Sequence, residues 1–151
     1  MDSEELSEQQ VDTVIDAVKS RYELRIVALL TGIGAQLKSQ GWKVADEPYE
    51  LTDSGYSWWI TTYRPGREEV EDNCVDLRLE IAESRLYDGD MQTGINFGLE
   101  AVEWGGRPLG GITPYNFTDE VWVDARDAAA VEKRFRIVDQ VDVEHLIHLM
   151  S

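Results

Sequence analysis

The alternation of apolar and polar residues is most regular between Cys74 and Ala82. Every second residue in this stretch is apolar and the residues between are polar; the apolar positions are Val75, Leu77, Leu79 and Ile81. Side chains of a β-strand point alternately to its two faces, so the pattern predicts a strand with one buried face and one polar face. The buried face needs a cover, and helical segments near both ends of the chain can provide it.

A helical pattern extends over residues 8 to 40. Its apolar residues recur at steps of three and four and so share one stripe: Val11, Val14, Ile15, Val18, Tyr22, Ile26, Leu29, Ile33 and Leu37. A capping-box pattern precedes the stripe, and Gly41 follows it as glycine follows many helices. Gly32 and Gly34 weaken the second half by about 1 kcal/mol each relative to alanine, and we expect them to allow close packing on a sheet.

Segments with a period of two flank the Cys74 stretch and predict neighbouring strands. Residues 42–50 and 56–63 surround a turn composition at 53–55, which predicts a hairpin. Residues 94–104 alternate again, and residues 107–113 can return as an edge strand. The connections between these segments are too short and too polar to hold crossover helices, so the sheet should be mostly antiparallel.

Two shorter helical patterns follow near the C-terminus. Asp124 or Asp127 can cap the first and Asp142 the second. The chain therefore predicts a single α+β domain over residues 1–151. We expect a long N-terminal helical segment, a mostly antiparallel meander sheet of four to six strands, and one or two C-terminal helices.

Charge is the most unusual feature of the composition. The 151 residues include 30 acidic and 14 basic ones, which gives a net charge of −16, and only four residues are lysine. Salt shortens the range of charge repulsion to about 8 Å at 0.15 M and about 3 Å at 1 M. Acidic residues spread along the chain are typical of cytoplasmic proteins in cells that accumulate salt. We prefer this interpretation to nucleic-acid mimicry, because a mimic should concentrate its charge where its partner docks.

The same composition argues against several classes of protein. Direct nucleic-acid binding needs a basic stripe, which the chain lacks. No apolar run approaches the roughly 18 residues that span a bilayer, and the acidic N-terminus is unlike a secretory signal. Cys74 is the one cysteine, which excludes an internal disulfide and suits a reducing compartment. We therefore expect a cytoplasmic protein, and the sequence is compatible with a homo-oligomer.

Metal and cofactor chemistry has weak support in the sequence. Asp76 and Glu80 share the polar face of their predicted strand, as carboxylates of a metal-dependent nuclease do, but Arg78 stands between them and no lysine is near. His145 and His148 stand three apart on a helix, a spacing that suits a metal pair, yet no third ligand is implied. An Asp-Arg-Glu ladder and surface histidines explain both patterns. We expect neither a metal nor a cofactor.

The sequence contains no catalytic motif that would identify a reaction. A glycine-rich segment at residues 105–111 lacks the G-K-[ST] of a phosphate loop and lies between predicted strands. No Ser-centred elbow occurs, and Cys74 has no histidine nearby in the sequence. We therefore incline to a protein that is not an enzyme.

Aromatic and arginine residues near the second predicted strand form a candidate partner surface. Trp58 and Trp59 are adjacent and must point to opposite sheet faces, so one of them needs a second cover or lies on a surface. The candidate surface comprises Trp59, Tyr63, Arg64 and Arg67.

Three functions are compatible with these patterns. The preferred one is a small acidic interaction or regulatory protein, adapted to a high-salt cytoplasm, that binds a protein partner. The second is an acidic inhibitor or nucleic-acid mimic that binds a basic protein through the cluster Glu68, Glu69, Glu71 and Asp72. The third is a metal-dependent hydrolase or nuclease that uses Asp76 and Glu80.

Overall fold

A computed structural model describes residues 6–44, 48–51, 56–66, 73–84, 93–103, 107–108 and 122–151. Its helices are α1 (Glu8–Ser39), α2 (Ala128–Asp139) and α3 (Val143–Met150). Its strands are β1 (Lys43–Val44), β2 (Tyr49–Leu51), β3 (Ser57–Tyr63), β4 (Cys74–Ser84), β5 (Gly94–Glu103), β6 (Arg107–Pro108) and β7 (Val123–Asp124). Within these ranges, no helix combines the length and the apolar character that crossing a bilayer requires.

Helix α1 is continuous and has the predicted ends. The Ser7 amide donates to Oε1 of Gln10 at 2.7 Å and the Gln10 amide donates to Oγ of Ser7 at 3.1 Å, which forms the capping box. At the other end Gly41 adopts a φ of 92°, a conformation that favours glycine. The buried residues of α1 are Val11, Ile15, Val18, Tyr22, Ile26, Leu30, Ile33, Gly34 and Leu37.

The strands form one antiparallel sheet with the predicted meander order. β3, β4 and β5 are consecutive neighbours; β1 and β2 both pair with the outer side of β3, and β6 and β7 both pair with the outer side of β5. The α+β fold with a long N-terminal helix and two short C-terminal helices is thus confirmed. The turn at 53–55 and most of the 107–113 segment lie outside the described residues.

Strand β4 divides the sheet into two different faces, as its sequence predicts. Val75, Leu77, Leu79 and Ile81 are each at most 2% exposed. Across the register Ile60 faces Leu77, and Leu77 faces Ala101, so the apolar face continues over three strands. These residues form one cluster with the buried residues of α1, α2 and α3, which places the helices on this face.

An aromatic cluster joins α1, α2 and the sheet. The ring centroids of Tyr22, Phe97 and Phe135 lie 4.8 to 5.3 Å apart, within the usual range for aromatic pairs. The guanidinium of Arg25 lies 4.6 Å from the Phe135 centroid and covers the outer side of the cluster.

Glu132 of α2 links this helix to α1 next to the aromatic cluster. Its carboxylate accepts hydrogen bonds from the Tyr22 hydroxyl (2.9 Å), from both Nη atoms of Arg25 (2.7 and 3.1 Å) and from Nε of Arg136 (3.0 Å). The hydrogen bond from Arg25 and then that from Tyr22 lower the pKa of Glu132 to about 2.

The two glycines of α1 allow a test of close packing between helix and sheet. A Cβ at position 34 would lie 2.7 Å from Cδ1 of Ile60, whereas one at position 32 would meet nothing within 4 Å. We expect Gly32→Ala to stabilise the protein by up to about 1 kcal/mol through helix propensity. Gly34→Ala should be less stable than Gly32→Ala by about 1–3 kcal/mol, because Ile60 must change its packing. Urea unfolding measures both variants, and equal gains would contradict the packing role.

The low pKa of Glu132 predicts how stability depends on pH. A carboxyl group whose pKa is lower in the folded protein stabilises it above its unfolded pKa, near 4.5, and loses that contribution as the pH falls towards 2. The stability difference between the wild type and Glu132→Gln should therefore be largest above about pH 4.5 and shrink below it. Urea unfolding from pH 7 to 2 measures this difference. Glu144→Gln makes the same charge change at an exposed position of α3 and is the control; an equal trend in both variants would contradict the role given to Glu132.

Candidate functional site

The sheet face opposite the helices carries charged, polar and aromatic side chains. We call it the polar sheet face and define it by Ser57, Trp59, Thr61 and Tyr63 of β3, Cys74, Asp76, Arg78 and Glu80 of β4, and Glu100 of β5. All of these except the buried Ser57 are half-buried. The register places Trp59, Arg78 and Glu100 in one row across three strands.

Arg78 lies at the centre of this face. Its guanidinium carbon is 5.3 Å from the Trp59 ring centroid on one side, and Nη2 forms an ion pair with Glu100 on the other. Nη2 also lies 3.8 Å from Oε1 of Glu80, two residues along the same strand. A cation stacked on an indole and held by two carboxylates has few accessible conformations, so this centre is rigid.

Asp76 lies on the other side of Arg78 along β4, and no cation of the described residues forms an ion pair with it. Its recorded hydrogen bond comes from Sγ of Cys74, at 3.6 Å. Glu80 differs, because Oγ of Ser57 donates to it at 3.1 Å and Arg78 is close. The face thus holds three carboxylates around one arginine.

The geometry gives no support to a metal site at Asp76 and Glu80. Both are on one face as predicted, but the Arg78 guanidinium is the cation near Glu80. Across the described residues, no group of three or more metal-ligating side chains could hold an ion. His145 and His148 are exposed on α3.

The surroundings of Cys74 on this face disfavour its reactive thiolate form. Burial, and next the negative charge of Asp76, raise the pKa of the thiol to about 11. The thiol is therefore protonated at neutral pH, and the thiolate that a nucleophile requires is scarce.

Two residues of the predicted partner surface, Trp59 and Tyr63, lie on the polar sheet face. Trp58 instead enters the core, where it is 2% exposed. Nε1 of Trp59 is buried and has no hydrogen-bond acceptor among the described residues, and the same is true of Nε of Arg78. Trp59 is therefore held by stacking and packing and not by a polar bond.

Arg64 lies apart from these aromatic residues. Its Nε donates to the Met150 carbonyl at 2.8 Å, and its Nη2 lies 3.6 Å from Glu103. These contacts hold the end of α3 against the helix-covered side of the sheet. Arg64 and Trp59 thus serve different faces, while Arg67 lies outside the described residues.

One buried cation, Arg134 of α2, was not predicted from the sequence. It is 3% exposed, and it donates to Oδ1 of Asn96 at 2.6 Å and to the Phe97 carbonyl at 2.8 Å. Burial lowers its pKa. Its position three residues after Val131 and four before Val138 signals the inner stripe of the helix. Arg134 therefore fastens α2 to β5.

The polar sheet face presents groups that are suited to binding a partner. It combines an aromatic platform, a fixed arginine and a carboxylate without a cation, and its one thiol is held protonated. Comparisons of the chain with protein-family models, with curated proteins and with solved structures find no match.

Proposed function

We propose that this chain is a small acidic interaction or regulatory protein of a high-salt cytoplasm, which binds a protein partner through the polar sheet face. The observation that carries the proposal is Trp59, a large aromatic residue held half-buried on a face that no described helix covers. Tryptophan is enriched among the residues that dominate binding energies at interfaces. Its stacking on Arg78 fixes the ring before a partner arrives, which lowers the entropy cost of binding.

The distribution of ion pairs supports the high-salt part of the proposal. Five arginines of the described residues already lie within 4.0 Å of a carboxylate of this chain: Arg25, Arg64, Arg78, Arg126 and Arg136. These five guanidinium groups are already used within the fold, and the 30 acidic residues of the chain outnumber its 14 basic ones about two to one. Dissolved cations are needed to screen this excess of negative charge.

The inhibitor or mimic alternative rests on residues that the structure does not describe. Its acidic cluster, Glu68, Glu69, Glu71 and Asp72, lies entirely between β3 and β4 outside the described ranges. The hydrolase alternative has no metal-binding group in its favour within those ranges. The polar sheet face is therefore the better basis for an experiment.

Truncation of Trp59 tests the docking face. We expect Trp59→Ala to retain the helical circular-dichroism signal and to capture its partner at least about ten-fold less well, as at a strong interface residue. The assay is a pull-down with the tagged protein from lysate of the source cells at 1 M KCl, with nuclease treatment, quantified by mass spectrometry. Leu24→Ala is the control, because Leu24 is a large apolar residue 81% exposed on α1. Equal capture by both variants, or loss of the helical signal with capture in Trp59→Ala, would refute the docking role.

Thermal unfolding tests the salt adaptation. The melting temperature should rise between 0.15 M and 2 M KCl, because screening shortens the range of repulsion from about 8 Å to below about 3 Å. At pH 4 many carboxylates bind a proton, so the same addition of salt should raise the melting temperature less. A melting temperature that does not change with KCl at pH 7 would count against adaptation to high salt.

A further inference from the structure

The polar sheet face has an excess of negative charge at one defined position. Arg78 is balanced by Glu100 and Glu80, which leaves the Asp76 carboxylate without a cation in the described ranges. Lys43 is on the same face, opposite Tyr63 on the edge strand. A carboxylate that is half-buried and uncompensated gains most from a cation that a partner supplies.

Aromatic side chains lie on both sides of this position. Thr61 is the cross-strand neighbour of Asp76, and Trp59 and Tyr63 stand two residues before and after Thr61 on the same face. Trp59 and Tyr63 are four residues apart along the strand, which separates their Cα atoms by about 13 Å. Aromatic faces attract cations, and tryptophan does so best.

The molecule already shows which cation fits such a surface. The Arg78 guanidinium stacks on Trp59 at 5.3 Å and forms ion pairs at the same time. Guanidinium is planar and weakly hydrated, so it stacks on rings and binds carboxylates together more readily than an ammonium group does.

We propose that Asp76, flanked by Trp59 and Tyr63, receives an arginine side chain of the protein partner. The inference rests on the proposed docking role of the polar sheet face and names the chemistry of what docks there. The partner therefore presents at least one exposed arginine, and the contact remains in concentrated salt because it is made at short range in a partly dry site.

The test is a titration with hexa-arginine peptide at 1 M KCl, which suppresses attraction at long range. The reporter is the indole N–H cross-peak of Trp59 in a ¹H–¹⁵N spectrum, assigned with Trp59→Phe. We expect the cross-peak to shift to saturation, and hexa-arginine to bind more tightly than hexa-lysine. Asp76→Asn should weaken hexa-arginine binding about ten-fold, the value of one charge-assisted contact. Asp76→Glu keeps the charge and should restore most of the affinity.

Glu144→Gln is the matched control, since it makes the same charge change at an exposed position on the helix layer. It should leave the affinity unchanged. Equal weakening by Asp76→Asn and Glu144→Gln, or the absence of a Trp59 shift at saturating peptide, would overturn the inference. If Asp76→Asn binds hexa-arginine normally while Trp59→Ala still loses the cellular partner, the docking face stands and arginine recognition fails. If Trp59→Ala keeps the partner, the docking face itself fails.

Discussion

The packing of helices against one face of β4 is the contact on which the rest of the structure depends. Val75, Leu77, Leu79 and Ile81 must leave water together because they share one side of the strand, and α1 provides a stripe long enough to cover them. Burying each such side chain contributes about 1.5–3 kcal/mol. Because side chains alternate along the strand, burial of this face places Asp76, Arg78 and Glu80 on the other side.

The groups that stabilise the fold and the groups proposed to bind a partner therefore lie on different faces of the sheet. Structural cations such as Arg25 and Arg64 act on the helix side, where each joins elements distant in sequence. On the other side, Arg78 joins only neighbouring strands and leaves Asp76 without a cation in the described ranges. A protein with this arrangement can present one face to a partner without exposing its core.

For a protein with this much negative charge, concentrated salt leaves short-range contacts to discriminate between partners. With a net charge of −16, attraction at long range would draw any cationic molecule to the surface at low salt. Concentrated salt removes this attraction beyond about 3 Å. Specificity then depends on groups that touch, such as a stacked aromatic ring or a carboxylate in a partly dry site.

The sequence by itself determined which residues share a face, because that depends only on the local repeat of the backbone. Residues 8–40 and β4 followed their periods, and the α+β meander followed from short polar connections. The tertiary structure decided which faces meet and which side chains pair, because strand register and helix placement bring distant residues together. Register set Arg78 between Trp59 and Glu100, and the docking of α3 brought the Met150 carbonyl to Arg64. Neither pairing is encoded in a local pattern.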